Sequence, residues 1–277
     1  VNITGSTKIL GLFGYPVSHT LSPAMHNSAC QSLGLNYCYL PFLVRPEELK
    51  AAVQAIKALN FRGVNVTVPH KEKVIHYLDV LDKEASLIGA VNTIVNRDGV
   101  LHGYNTDGRG FIRSLEESGI SLQGINSLII GAGGASRAIA FSLALSHAAD
   151  IGIFDIDKKK ADSLIKELQK ENYSCHLVTE ITSVSNYQLL INATPLGLKD
   201  NDPLPLKPEL ITPDVFIYDA IYRHTPLLNE AHKRGAQGAD GSGMLLWQGA
   251  LAFKLWTKKD PPVDVMKKAL YQGMGRV

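Results

Sequence analysis

The stretch Asn126–Gly134, NSLIIGAGG, narrows most what this chain can fold into. An apolar run of that length bounded by glycines reads as a buried strand. The helical pattern ASRAIAFSLALSHA follows it, and a second run, DIGIF from Asp150 to Phe154, then ends in Asp155-Ile156-Asp157. Strand, glycine turn, helix, strand and acid form the layout of a dinucleotide-binding crossover. Gly131 and Gly133 let the backbone approach a pyrophosphate, and the helix behind them offers free N–H groups and a positive dipole end. The common fingerprint carries a third glycine where this chain has Ser136. The alternative is a glycine-rich strand-to-helix turn that binds nothing.

A second informative stretch is Gly63–Lys71, GVNVTVPHK. Val64, Val66 and Val68 alternate with Asn65 and Thr67, the period-two pattern of a strand with one apolar and one polar face. Pro69 closes that strand, and Lys71 falls in the first turn of a helix expected over HKEKVIHYLDVL and on to about Ala85. An amide, a hydroxyl and an ammonium thus leave one strand end together, as small-molecule sites in α/β proteins require. A strand with an ordinary solvated face fits the alternation equally well. The segment AVNTIVNRDGVLHGYNTD repeats the arrangement at Val91-Asn92-Thr93 and ends at Asn105-Thr106-Asp107. Asp98-Gly99 reads as a tight turn between its two strands.

The rest of the first hundred residues alternates strand and helix. KILGLFG (Lys8–Gly14) is a buried strand, followed by a hydroxyl-rich loop and a helix opened by Pro23 with Ser22 as its N-cap. Capping alone accounts for Ser22 and leaves Thr20 incidental, but two hydroxyls at a strand-to-helix turn can equally hold a carboxylate or vicinal hydroxyls. A strand over Leu35–Leu43 and a helix over Pro46–Leu59 come next. Beyond Asp107, GRGFIRSLEESG opens a helix that marks the crossing into a second domain. Strands are expected at Tyr187–Ala193 and Val215–Ala220, separated by a proline-rich loop, and a helix at Pro226–Gly235. The apolar helix MLLWQGALAFKLW carries Gln248, whose amide fits a wet helix face as well as a site. A short helix starts at Val263.

Composition excludes several function classes. The 277 residues carry a net charge of +2 and scattered lysines, which gives no electrostatic case for nucleic acid or a membrane surface. With 45% hydrophobic and 19% charged residues the chain is a soluble globular protein, long enough for one large domain or two ordinary ones. No apolar run reaches bilayer-spanning length, and the N-terminal residues lack the layout of a signal peptide, so a cytoplasmic location is expected. Cys30, Cys38 and Cys175 lack paired spacing and read as reduced, buried thiols. The histidines show no ligand spacing, so no metal is expected.

Taken together, GYPVSHTLSPAMHN, GVNVTVPHK, IGAVNTI, GYNTDG, GAGGASR, INATPLGL, DAIY and ADGSGMLLWQGALAF resemble the shikimate dehydrogenase family, in the family's order and over nearly the whole chain. The resemblance implies an α/β fold of two domains with an interdomain cleft. An N-terminal substrate domain (1–107, rejoined by 242–277) would precede a Rossmann-type, doubly wound nucleotide-binding domain (108–241). It implies NADP- or NAD-dependent reduction of 3-dehydroshikimate to shikimate, in chorismate biosynthesis, by a monomer or homodimer. By matching motif, Thr20, Ser22, Asn65, Thr67, Asn92, Tyr222 and Gln248 would bind the substrate. Thr20, Ser22 and Tyr222 suit its carboxylate and the amides its hydroxyls. Lys71 and Asp107 would be the catalytic pair, acting as one coupled unit, with the lysine as an ammonium that polarises the ketone. Gly131, Ala132, Gly133, Gly134, Ala135, Asp155, Lys160, Thr194, Ala220 and Gly241 would face the cofactor.

The chain departs from the family at three places. Asp155-Ile156-Asp157 stands where many members have Asn-Arg-Thr, and Lys160 stands where another arginine follows. A carboxylate there accepts from ribose hydroxyls and repels a 2′-phosphate, which favours NAD over NADP, although Lys158, Lys159 and Lys160 partly offset the repulsion. Thr20 replaces the usual serine, and Leu198 the usual methionine. Besides the biosynthetic enzyme, the pattern admits an NAD-dependent quinate/shikimate dehydrogenase of catabolism, or a dinucleotide-binding regulator without turnover.

Overall fold

In a computed structural model that describes residues 3–199 and 201–276, the chain divides into two units, Val1–Thr106 with Leu246–Val277, and Asp107–Leu245. The first unit begins with β1 (Lys8–Gly14), α1 (Ser22–Ser32), β2 (Tyr37–Leu43), α2 (Leu49–Ala58) and β3 (Gly63–Val66). It continues through β4 (Val80–Leu81), α3 (Lys83–Ile88), β5 (Thr93–Arg97) and β6 (Val100–Tyr104). Its sheet has the order β2-β1-β3-β5-β6-β4, with β2, β1 and β3 parallel and β5 antiparallel to both β3 and β6. The β5–β6 hairpin turns at Asp98 (φ 53°) and Gly99 (φ 87°), the left-handed pair a two-residue hairpin needs, as the sequence predicts.

The alternation in GVNVTV does not produce a solvated face. All four residues of β3 are buried, and Thr67 lies beyond the strand end. One face of the sheet packs Phe13, Val64 and Val66 against Leu49, Val53 and Ile56 of α2. On the other, Leu10, Leu12, Tyr39 and Val95 meet Ala252 and Trp256 from the C-terminal stretch. A strand covered on both sides keeps polar groups only where each finds a partner, and this governs the site below.

Two local expectations are corrected. The helix expected from His70 to about Ala85 is a short 3₁₀ turn, Lys73–Tyr77, followed by β4 and then α3, so Lys71 lies in a turn rather than a helix. Asp79 overrides the helical pattern by joining the sheet. Its N–H donates to the Leu101 carbonyl at 3.1 Å, and its carboxylate accepts the Leu101 N–H at 2.7 Å. Ser22 is the first residue of α1 and not its N-cap; Leu21 holds that position without a side-chain cap. The Ser22 side chain instead lies beside the Tyr39 hydroxyl.

The second unit comprises α4 (Asp107–Glu117), β7 (Asn126–Ile130), α5 (Gly134–Leu145), β8 (Asp150–Phe154), α6 (Lys158–Lys170) and β9 (Cys175–Leu177). There follow β10 (Leu189–Asn192), β11 (Phe216–Asp219), α7 (Pro226–Lys233) and β12 (Gly238–Asp240). All six strands are parallel, in the order β12-β11-β10-β7-β8-β9. From β7 the chain builds β8 and β9 on one side and β10, β11 and β12 on the other. The order therefore reverses between β7 and β10, where doubly wound sheets bind ligands. α6, β9 and β12 lie in stretches for which the sequence reading names no element.

The chain closes with α8 (Ser242–Thr257) and α9 (Val263–Gly273), the latter packed on α1. α8 starts two residues before Met244, because Asp240 Oδ1 accepts the Ser242 N–H at 2.9 Å. The units part at 106/107 and 245/246, against 107/108 and 241/242 expected from the sequence. Asp107 is already helical in α4, and Gly243 lies so close to Ser114 of that helix that a side chain would collide with it.

Trp256 ties α8 to the first sheet. Its buried Nε1–H donates to the Ile94 carbonyl at 2.9 Å, and its backbone carbonyl accepts from Arg62 Nε at 2.9 Å. Gly63 is required beneath it, since a Cβ there would collide with the indole. Trp256→Phe removes the donor and part of the packed volume, and should lower unfolding stability by about 1–3 kcal/mol. A urea midpoint unchanged from the parent chain would refute this account.

Candidate functional site

In the first unit the loops after β1 and β3 run side by side, joined by Tyr15 N–H to the Val68 carbonyl (3.0 Å) and Thr67 N–H to the Phe13 carbonyl (2.9 Å). Thr20 and Ser22 lie at the end of the first loop, where Thr20 Oγ1 accepts the Ser22 N–H at 3.3 Å. Thr67 and Lys71, both half-buried, lie in the second. That second loop is clamped by buried His70, whose Nε2 meets the Val44 carbonyl at 2.8 Å. The Lys71 carbonyl accepts the Val91 N–H at 2.8 Å, which fixes the lysine backbone beside the start of β5.

Behind these loops runs a continuous buried chain of polar side chains. The Tyr39 hydroxyl donates to Asn65 Oδ1 at 2.8 Å. Asn65 Nδ2 donates to the Asn92 carbonyl (3.1 Å) and to Thr93 Oγ1 (3.0 Å). Thr93 Oγ1 donates to Asn92 Oδ1 at 3.0 Å, which also accepts the Thr106 N–H at 2.8 Å. Asn92 Nδ2 donates to Thr106 Oγ1 at 3.0 Å, and that hydroxyl donates to the Gln248 carbonyl at 3.0 Å. The Gln248 side chain is reached too, with its Oε1 at 3.5 Å from Asn92 Nδ2.

The direction of this chain has a chemical consequence. Burial pushes the Tyr39 hydroxyl far above its usual range, so it remains a donor. Asn65 then has its oxygen toward Tyr39 and both N–H groups committed inside the protein, which leaves the second lone pair of Oδ1. Toward a ligand, Asn65 can only accept, so its partner must be a hydroxyl or another donor.

The network brings together Asn65, Asn92 and Gln248, with Ser22 beside Tyr39 at its end and Thr20 bonded to the Ser22 N–H. Gln248 is buried, and the wet helix face is excluded. Asp107 and Tyr222 belong to the second unit. Asp107 is the first, buried residue of α4, and Tyr222, 54% exposed, lies in the loop after β11. Tyr39 is a member with no place in the sequence expectations; Thr93 and Thr106 were named there but given no role, and His70 clamps the neighbouring loop. Thr106 and His70 stood inside quoted motifs, whereas nothing in the strand pattern around Tyr39 distinguishes it from a core aromatic.

In the second unit the glycine turn follows β7. Gly131 has φ +106°, and a Cβ there would sit 3.0 Å from the Ala193 carbonyl oxygen and 3.1 Å from Thr194 Cγ2. Glycine is thus needed both for the backbone angle and for the close approach to the loop after β10. Gly133 is the N-cap of α5 with no side-chain cap, and space is open in front of Gly133 and Gly134. The first amides of α5, Gly134 and Ala135 among them, have no intrahelical acceptor, as an anion site requires. Ser136, at the third glycine position, is fully buried within α5.

The Asp155 carboxylate closes this turn, accepting the Ala132 N–H at Oδ2 and the Asp157 N–H at Oδ1, both at 2.7 Å. A carboxylate has about four acceptor positions, so each oxygen retains capacity for a ribose hydroxyl. Ile156 beside it is 94% exposed, and Lys160 lies exposed in the first turn of α6. Thr194 Oγ1 donates to Asn192 Oδ1 at 2.7 Å, and the Ala220 N–H donates to the Asn192 carbonyl at 2.9 Å. Gly241 follows β12, and its N–H donates to the Ile221 carbonyl at 3.0 Å. A cavity of about 450 Å³ opens elsewhere, among Gln123, Gln188, Phe216 and Gln237 at the amino ends of the strands, and no expected site residue lines it. Among the described residues no cluster of three or more His, Cys, Asp or Glu could hold a metal ion.

Three family models match the chain. They are the shikimate dehydrogenase substrate binding domain over residues 12–94, shikimate/quinate 5-dehydrogenase over 114–196, and the shikimate 5′-dehydrogenase C-terminal domain over 241–271. The chain is 45% identical to the shikimate dehydrogenase (NADP(+)) of Desulforamulus reducens, covering 99% of this chain and 98% of that one. A crystal structure of a shikimate dehydrogenase in complex with NADP+ superposes with a TM-score of 0.93 at 42% identity, covering 98% of this chain and 97% of the other. The shikimate 5-dehydrogenase from Listeria monocytogenes, in complex with shikimate and NAD, gives 0.92 at 39% identity and 98% coverage of both.

The polar chain generates a stability expectation. Tyr39→Phe keeps the ring, which stacks on His26 at 4.4 Å between centroids, and deletes only the donor to Asn65. The variant should fold and lose about 1–2 kcal/mol. Chemical denaturation reads the difference, and a parent-like midpoint would mean that the hydroxyl contributes nothing.

Proposed function

This chain belongs to the shikimate dehydrogenase family, and from that premise we propose that it catalyses the reversible, NAD(P)-dependent reduction of 3-dehydroshikimate to shikimate in aromatic amino-acid biosynthesis. The observation that carries the reading is the polar chain from Tyr39 to Gln248, which offers acceptors and amides to a polyhydroxylated ring, with half-buried Lys71 held at its backbone beside the start of β5. A site built to pair several hydroxyls rejects analogues that lack them, because its buried groups are then left unpaired.

The residues take separate roles. Ser22, Thr20 and Tyr222 hold the carboxylate of the substrate, and Asn65, Thr67, Asn92 and Gln248 its hydroxyls. The turn from Gly131 to Ala135, with Asp155, Lys160, Thr194, Ala220 and Gly241, holds the dinucleotide. Gly133 and Gly134 fit a pyrophosphate by the space before them. The nicotinamide supplies the hydride when bound. Lys71, as an ammonium, donates a hydrogen bond to the carbonyl oxygen and stabilises the negative charge that develops there. Asp107 is the second member of the pair and shares the proton that ends on the new hydroxyl.

For the cofactor, NAD is the form that Asp155 favours, although the Desulforamulus reducens relative carries NADP(+) in its name. The carboxylate lies at the end of β8 with Ile156 exposed beside it, and no guanidinium replaces it there. This supports a second reading in the same class, an NAD-dependent quinate/shikimate dehydrogenase. The buried, free thiols Cys30, Cys38 and Cys175 support a reducing, cytoplasmic compartment.

Steady-state rates of shikimate and quinate oxidation with NAD and with NADP test these assignments together. Lys71→Ala should cut kcat by about 10²–10⁴-fold while moving the shikimate KM far less. A surviving kcat with a raised KM would make Lys71 a binding residue. Asp155→Asn should move the NAD-to-NADP ratio of kcat/KM toward NADP by about tenfold, the effect of one charge-assisted contact. An unchanged ratio would remove Asp155 as the determinant. Absence of turnover by the parent chain with either dinucleotide would leave a non-catalytic regulator.

A further inference from the structure

Asp219, the last residue of β11, is a fully buried carboxylate that the chemistry above does not use. Burial holds its carboxyl above the usual range, and three donors oppose that shift. Thr225 Oγ1 donates to Oδ2 at 2.6 Å, and Asn192 Nδ2 and the Ile221 N–H donate to Oδ1 at 3.1 and 3.2 Å. None of these donors belongs to the strand ladder. Two lie in the loop after β11, and Asn192 ends β10. If packing alone were needed, an apolar side chain would fill the position at no desolvation cost.

Asn192 transmits the constraint. An ionised carboxylate only accepts, so it forces the Asn192 amide to point Nδ2 toward Asp219. Nδ2 also donates to the Leu196 carbonyl at 3.0 Å, and Oδ1 is left to accept the Thr194 N–H at 3.1 Å and the Thr194 hydroxyl at 2.7 Å. Thr194 Oγ1 then accepts the Leu196 N–H at 3.1 Å, and Arg223 Nε donates to the Gly197 carbonyl at 3.0 Å across the two loops. One carboxylate thus sets the conformation of residues 193–197 and 220–225. The first of these segments touches the glycine turn at Gly131. A dinucleotide with its pyrophosphate on that turn continues past the carboxyl ends of β10 and β11.

We propose that Asp219 is a positioning residue for the nicotinamide half of the dinucleotide, holding the loops after β10 and β11 in their ligand-competent form through Thr225 and Asn192. The proposal rests on the nucleotide-binding reading of the second unit. In Asp219→Asn the new amide presents donors to partners that are all donors, and Asn192 is free to turn over.

The test is equilibrium titration of the full chain with NADH and NADPH, following dinucleotide fluorescence, alongside thermal melting and shikimate kinetics. Asp219→Asn should weaken binding of the preferred dinucleotide about tenfold and leave the shikimate KM within about threefold. Thr225→Val should reproduce the loss, and Thr225→Ser, which keeps the hydroxyl, should restore parent affinity; this pair carries the test if Asp219→Asn does not fold. Parent-like affinity in Asp219→Asn and Thr225→Val, even with lowered melting temperatures, would make the carboxylate purely structural and overturn the proposal. A parent chain that binds neither dinucleotide would overturn the nucleotide-binding reading itself, and this proposal with it.

Discussion

The amide of Asn92 is the interaction on which the first unit turns. Its side chain joins the start of β5 to Thr106, just before the second unit begins, and to Gln248 in α8, while its carbonyl accepts from Val66 N–H and Asn65 Nδ2 in β3. Four segments distant in sequence are therefore registered on one residue that has almost no access to water. Leaving one such buried group without its partner costs about 1–3 kcal/mol, a large share of the 5–15 kcal/mol that a domain has in total. Hydrophobic burial holds α8 against the sheet through Trp256 and Ala252, but burial is not directional. The hydrogen bonds decide which atoms face the ligand.

The second unit solves the same problem with a charge. There Asn192 and Asp219 end neighbouring parallel strands, and their side chains hold their own loops rather than a ligand. A parallel sheet ends with carbonyls and loop amides that must be satisfied at the edge where doubly wound sheets bind ligands. Polar side chains at the last strand positions meet that need and give loops a single conformation. In the first unit such side chains retain spare acceptor capacity for a substrate. In the second they saturate one another, and the open capacity belongs to backbone amides at Gly134 and Ala135.

What was legible in the sequence depended on how local its cause was. The glycine turn after β7 and the Asp98-Gly99 hairpin follow from backbone angles that few residues other than glycine and asparagine or aspartate adopt, so they show as letters. The helix expected from His70 failed for a non-local reason. Asp79 exchanges hydrogen bonds with Leu101, 22 positions away, and β4 pairs with β6, which no helical periodicity registers. Ser22 sat in a sequence that suits an N-cap, yet the helix starts one residue earlier, with Leu21 at the cap. The candidate residues on Asn65, Asn92 and Gln248 were visible as polar letters in apolar surroundings. Tyr39 and Asp219 were hidden because a core aromatic and a strand-ending acid look ordinary until their partners are known.

Asp155 shows why a single charge at a strand end is not an independent switch. In the proposed reading its carboxylate selects among ribose substituents by charge, but it also caps the Ala132 amide and the turn at Asp157, so it shapes the surface on which the pyrophosphate would lie. A substitution by alanine would remove both functions at once and confound selectivity with loss of the turn. Asparagine keeps an acceptor for one of the two amides and removes the charge. Lysine side chains at 158–160 add attraction from outside, screened by solvent and without the planar geometry that grips a phosphate. The balance at this position is therefore set by a fixed charge inside the turn against mobile charges on its rim. The proposed NAD preference requires the fixed charge, held by two short backbone hydrogen bonds, to outweigh the lysines.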